Sequence, residues 1–158
     1  TNGSYKFHLG DDTGTLDYSP ATITFNSGTY AAGAYVSIRV VDAKHPQNSS
    51  PTHFLSRYWV VRQSGISNFN YNFIANYVYS DDVNGLEANQ FAGLYTGTLP
   101  WNNVGTISGG ILTANNCTIV GDFSGTSQQN IIANPTTISG LNYQFGSGPS
   151  SSQSFVVS

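Results

Sequence analysis

Residues 69–79 read "FNYNFIANYVY", and their alternation decides the fold class. The odd positions Phe69, Tyr71, Phe73, Ala75, Tyr77 and Tyr79 share one face. Asn70, Asn72, Ile74, Asn76 and Val78 share the other. A period of two is that of a pleated strand with one face on a core, and no helix produces it. Alternation recurs in "ATITF" (Ile23, Phe25), in "AYVSIRVV", where Val36, Ile38 and Val40 oppose Ser37 and Arg39, and in "RYWVVRQ". The β-branched and aromatic content of these runs suits a pleated, half-buried surface. Val36, Ile38, Trp59 and Val61 are the expected core.

Shorter, Gly-rich strands are expected at 90–95, 107–112, 117–123 and 138–145. "GTLPWNN", "TANN" and "GTSQQN" between them carry turn chemistry. Residues 43–56, "AKHPQNSSPTHFLS", form the one long loop, expected to cross between two sheets. Many strands with polar turns and no crossover helices predict an all-β chain, an antiparallel two-sheet β-sandwich of Ig-like or jelly-roll-like type. A composition shift near 125 divides it into a sandwich module, 1–125, and a segment, 126–158, holding a linker and a C-terminal extension strand.

At 158 residues the chain is long enough for one well-buried core. Hydrophobic residues make up 39% and charged residues only 8%, so Asn, Ser, Thr and Gly must provide solubility. Five Lys and Arg against eight Asp and Glu leave a net charge of −3, so no basic stripe offers itself to nucleic acid. No apolar run approaches the ~20 residues of a spanning helix. Thr1 opens without a signal-like segment, which reads as a mature chain or one cut from something longer. The single cysteine, Cys117, cannot form an internal disulfide. Low charge, no Met and many small polar residues fit a secreted or cell-surface protein.

Chemistry-bearing patterns are sparse. "DDVNGLE" gathers Asp81, Asp82, Asn84 and Glu87, hard oxygen ligands of the type Ca²⁺ prefers, but too few for a full cage and without EF-hand spacing. The turn that Asn84-Gly85 would form accounts for the same residues, so no cofactor is expected beyond a possible Ca²⁺. "GDDTG" at Asp11 and Asp12 reads as a turn. His8, His45 and His53 lack metal-ligand spacing. No Gly-x-Ser-x-Gly elbow occurs, and acidic residues lying mostly in turns are thin material for glycoside hydrolysis. No enzyme is expected. Ten Tyr, nine Phe and two Trp exceed what one core needs, and Tyr77, Tyr95 and Trp101 are candidates for a platform that stacks on sugar rings. Sequons at Asn2, Asn48 and Asn116 would each mark a surface turn if glycosylated.

Several blocks in order, "SYKFHLG", "YSPATITFNSGTY", "SRYWVVRQSG" and "YSDDVNGLEANQFAGLYTGTLPWNNVGTI", resemble a β-sandwich module of very large secreted and surface proteins of Bacteroidetes. "ISGLNYQFGSGPSSSQSFVVS" is similar to the opening of the Ig-like module that often follows. The resemblance implies a repeated extracellular module of adhesins and multidomain enzymes, exported through an outer-membrane secretion route, and implies no catalytic residues.

The last segment, Gln153, Ser154, Phe155, Val156 and Val157, reads as a strand that needs a partner edge, because an isolated strand leaves its backbone groups unpaired. A neighbouring module or a second copy would supply that edge, and head-to-tail addition would propagate into a fibre. Two functions follow as expectations. One is a non-catalytic structural and adhesive module whose partners are its own copies or neighbouring modules. The other is a carbohydrate-binding module appended to a secreted hydrolase, with surface polysaccharide as partner.

Overall fold

In a computed structural model, the described residues are 1–14 and 16–127, together with the short strand pieces 133–134, 143–144, 148–149 and 156–157. Two units separate, Thr1–Gln128 and Gln129–Ser158.

The first unit is all-β. Its strands are β1 (Gly3–Phe7), β2 (Gly10–Asp11), β3 (Asp17–Tyr18), β4 (Ala21–Val41), β5 (Phe54–Asn76), β6 (Val83–Asn84), β7 (Phe91–Tyr95), β8 (Asn102–Ser108), β9 (Ile111–Cys117) and β10 (Asp122–Thr126). A single helical turn, α1 (Tyr79–Asp82), and a 3₁₀ turn at Glu87–Asn89 interrupt them. Among the described residues, no helix is long and apolar enough to cross a membrane.

Strand β5 organises the rest. Drawn straight, its 23 residues would run roughly 75 Å, far beyond the diameter of a domain this size. It therefore bends, at Gly65 (φ 73°) and Asn68 (φ 50°), left-handed conformations that glycine and asparagine tolerate best. Before the bend one edge of β5 pairs with β10, Asp122 opposite Val60; after it the same edge pairs with β9, Ala75 opposite Leu112. β10 pairs with β7, β7 with β8, and β8 with β9, so five strands close into a barrel, β5-β10-β7-β8-β9. β4 lies along the other edge of β5, and β1 along β4. The two separate sheets expected of a sandwich are thus joined into one closed sheet, because a strand shared by both walls leaves no gap between them.

The inward rows follow the period of two. Tyr71, Phe73, Ala75 and Tyr77 are buried, and Ile74 on the opposite face is 43% exposed. Tyr79, placed on the inner row by the alternation, is exposed because the strand has already ended in α1. Trp59 and Val61 are fully buried, while Val36 and Ile38 pack half-buried against the core. Phe73 stacks on Phe123 with centroids 4.4 Å apart and tilted 28°.

Three local expectations are corrected. Residues 107–112 are not one strand but the end of β8, a turn and the start of β9, because Gly109 (φ 60°) and Gly110 (φ 81°) form a tight hairpin. Thr113 to Asn116, expected as a turn, belong to β9, where pairing with β5 and β8 overrides weak strand propensity. The loop between β4 and β5 joins antiparallel neighbours, so it is a long hairpin connection and not a crossover.

In the second unit, β11 (Ala133–Asn134) pairs antiparallel with β14 (Val156–Val157), and β12 (Tyr143–Gln144) with β13 (Gly148–Pro149). Val156 and Val157 of the expected assembly segment therefore have Asn134 and Ala133 opposite them. Gln153, Ser154 and Phe155 lie outside the described residues, as does most of the strand expected at 138–145.

Candidate functional site: a buried arginine cluster and an aromatic cleft

On β5 the inward positions are Leu55, Arg57, Trp59 and Val61, and all four are fully buried. An arginine thus occupies a core position. Carboxylates from four places satisfy it: its Nε donates to both oxygens of Asp82 (3.0 and 2.8 Å), Nη1 to Asp11, and Nη2 to Asp17 (2.7 Å) and Asp42 (3.3 Å). Asp11 and Asp17 come from the β2–β3 hairpin, Asp42 from the end of β4, and Asp82 from α1, whose start it also ties by accepting the Val78 N–H at 2.7 Å. Desolvation alone would lower the Arg57 pKa, but the hydrogen bonds and charges of Asp11 and Asp82 outweigh it and raise it.

Four carboxylates around one cation repel each other. Asp42 is raised above its usual pKa, first by burial and then by Asp11, Asp81 and Asp17, against the lowering effect of Arg57. Burial likewise raises Asp82. A carboxyl whose folded pKa lies above the unfolded value of 3.8 favours the folded state at low pH and loses that contribution as pH rises through the folded pKa. Glu87 acts in reverse. Burial would raise it, but hydrogen bonds from Tyr77 and from the Gly109 and Gly110 amides prevail and lower it, so its contribution is lost as pH falls below 4.5. The parent is therefore expected to gain stability relative to Asp42→Asn as pH falls toward 3.8. Thermal unfolding of both proteins in a pH series at matched ionic strength checks this. A difference between the two melting temperatures that does not change with pH would contradict it.

The expected oxygen cluster is only partly assembled. Asp81 and Asp82 lie together with Asp42, their oxygens within 4.8 Å of one another. Asn84 instead donates to the Asp82 carbonyl and Ser56, both at 3.4 Å, and Glu87 is turned to Tyr77 and the β8–β9 turn. Asp42 and Asp82 are already held by Arg57.

The aromatic candidates separate in the same way. Tyr77 is a core residue, 5% exposed. Tyr95, at the end of β7, and Trp101, just before β8, meet with centroids 5.5 Å apart. His45 sits between them and Tyr58, with its ring 4.7 to 5.1 Å from all three. Gly93 makes the assembly possible, since a Cβ there would lie 2.8 Å from Trp101 Cε3. The Gln47 N–H donates to His45 Nδ1 (3.1 Å), so His45 donates through Nε2 to Asp122 (3.1 Å), which fixes its tautomer. Asp122 also pairs with Arg62 at 2.7 Å.

These contacts lock the loop of residues 42–53 onto β10. Asn48, buried, donates to the Gly125 carbonyl, Ser50 meets Ser127, and Trp101 Nε1 donates to the Gln47 carbonyl. Asn48 is therefore unsuited to carry a glycan. His8 and His53 bond to Tyr18 and to Thr52 and Asn89.

Neither Arg57 nor His45 stands out by motif, but a signal for Arg57 existed. The period of two in "FLSRYWVV" places it on the row of Trp59 and Val61, and a charge on a core row requires partners. The Asp122 pairing had no such signal, since its two partners lie 77 and 60 residues away in sequence. Comparisons with protein-family models, curated proteins and solved structures return no match.

Proposed function

We propose that the chain is a non-catalytic structural and adhesive module of a secreted or cell-surface protein. The observation that carries this reading is the engagement of its acids. Asp12 and Asp81 apart, every carboxylate of the first unit is bound to Arg57, to the His45–Arg62 pair or to Tyr77 and the β8–β9 amides. A general acid or base needs a carboxyl with a free side facing substrate; these hold strands, loops and turns together. A closed barrel with its connections pinned to it suits a module that repeats, spaces and presents a surface. The composition, low in charge and rich in small polar residues, supports an extracellular setting.

Among the described residues the His45–Asp122 pair is the constellation with acid–base character, so it carries the test. Chromogenic glycosides, esters and peptides incubated with the purified chain are expected to turn over at the rate of buffer, and Asp122→Asn at that same rate. Turnover abolished by Asp122→Asn would overturn the non-catalytic reading.

A further inference from the structure

We propose that the cleft beside the aromatic cluster is a subsite for one residue of a neutral carbohydrate, recognised through adjacent hydroxyls. This deepens the adhesive side of the reading above and rests on it. The cleft encloses about 220 Å³ and is lined by Arg62, Tyr95, Gly97, Val120 and Asp122, among others. Since a water takes about 30 Å³ of liquid volume, the space corresponds to about seven waters, room for one pyranose ring.

Its wall is positioned before any ligand arrives. The Tyr95 ring packs on His45 and Trp101, and its hydroxyl donates to the Gly97 carbonyl at 2.9 Å. A ring fixed by neighbours loses little freedom on binding, and its planar face suits the C–H face of a sugar.

A charged donor stands next to that ring. Arg62 is 53% exposed; Nη1 is used by Asp122 and by the Val61 carbonyl, and its other N–H groups have no partner among the described residues. Asp122 Oδ1 is buried beneath Arg62, 2.7 Å from Nη1, and serves as its counter-charge. The free edge of the guanidinium can thus donate to two neighbouring hydroxyl oxygens, as a vicinal diol presents them. The charges of Arg62 and Asp122 offset one another, so a neutral sugar fits better than a uronate. His45 holds the other Asp122 oxygen, and so orients the carboxylate from behind.

Affinity electrophoresis of the full chain in gels containing galactomannan, xyloglucan, dextran or β-1,3-glucan, with polygalacturonate as the acidic control, tests the proposal. At least one neutral polysaccharide is expected to retard the chain. Tyr95→Ala and Arg62→Ala should each weaken that retardation by about tenfold or more, as expected where one contact of a small site is lost. Arg62 is exposed enough that its replacement leaves the fold intact, which a thermal melt verifies. No retardation by any neutral polysaccharide, retardation by polygalacturonate alone, or retardation unchanged in both variants would overturn the proposal. Turnover assays on the same samples read the non-catalytic claim separately, so the two can fail independently.

Discussion

Replacing Arg57 by leucine is expected to cost the first unit about 3–5 kcal/mol, a large share of the ~5–15 kcal/mol that holds a domain folded. The cause is the remainder it leaves. Asp82 is fully buried and Asp17 is 7% exposed, and without the guanidinium both must be desolvated as unpaired charges or taken up protonated. Because Asp11, Asp17, Asp42 and Asp82 come from separate elements, the hairpin β2–β3, the end of β4 and α1 lose their common anchor together. Urea unfolding followed by Trp fluorescence reads the loss, with Trp59 next on the same inward row as reporter. A variant whose midpoint stays within experimental error of the parent would contradict this.

Phe123→Ala is the second large effect, about 3–5 kcal/mol in the same measurement, the range of buried aromatic-to-alanine changes. Phe123, the second residue of β10, is fully buried, stacked on Phe73 and edge-on to Tyr71 with centroids 6.4 Å apart. β10 joins β5 to β7, so a cavity there opens at the seam on which closure depends. A loss under about 1 kcal/mol, the scale of a single methylene, would mean that the barrel interior is not packed as described.

How far the sequence disclosed this is clearest in β5. Alternation over residues 71–77 assigned the buried and exposed faces residue by residue, since a period of two is a local property that backbone geometry enforces. The joining of "RYWVVRQ" and "FNYNFIAN" into one bent strand was not legible, because the glycine between them weakens strand propensity and only pairing with β4 along both halves carries the strand through it. Barrel closure depends on residues distant in sequence, such as Tyr71 opposite Cys117, and no local pattern encodes that register. Gly105 shows the same limit. A Cβ there would sit 1.9 Å from the Thr113 carbonyl, which explains the glycine only once β8 and β9 are seen to approach.

The candidate site was legible in its residue types and not in its groupings. Tyr95 and Trp101 are brought together, whereas Tyr77 is taken by the core and Glu87 by the β8–β9 turn. The inward-facing rows of strands could assign Arg57 a buried position, but which acids would reach it depended on how loops fold over the barrel end.

The cost of Arg57→Leu is expected to lie in the buried carboxylates it leaves unpaired, and not in the loss of net stabilisation by the network. Substituting the network's buried members with apolar residues tests it most directly, in a triple variant carrying Arg57→Met, Asp17→Leu and Asp82→Leu. Asp11 and Asp42 keep side-chain exposures of 16% and 17%, so they retain water without their partner. Removing all the buried charges at once eliminates the desolvation cost that Arg57→Leu alone incurs, and well-packed apolar replacements of buried ion pairs are often neutral or stabilising. The triple variant is expected to melt cooperatively at a temperature well above that of Arg57→Leu and near that of the parent. A triple variant melting at or below the single one would contradict it.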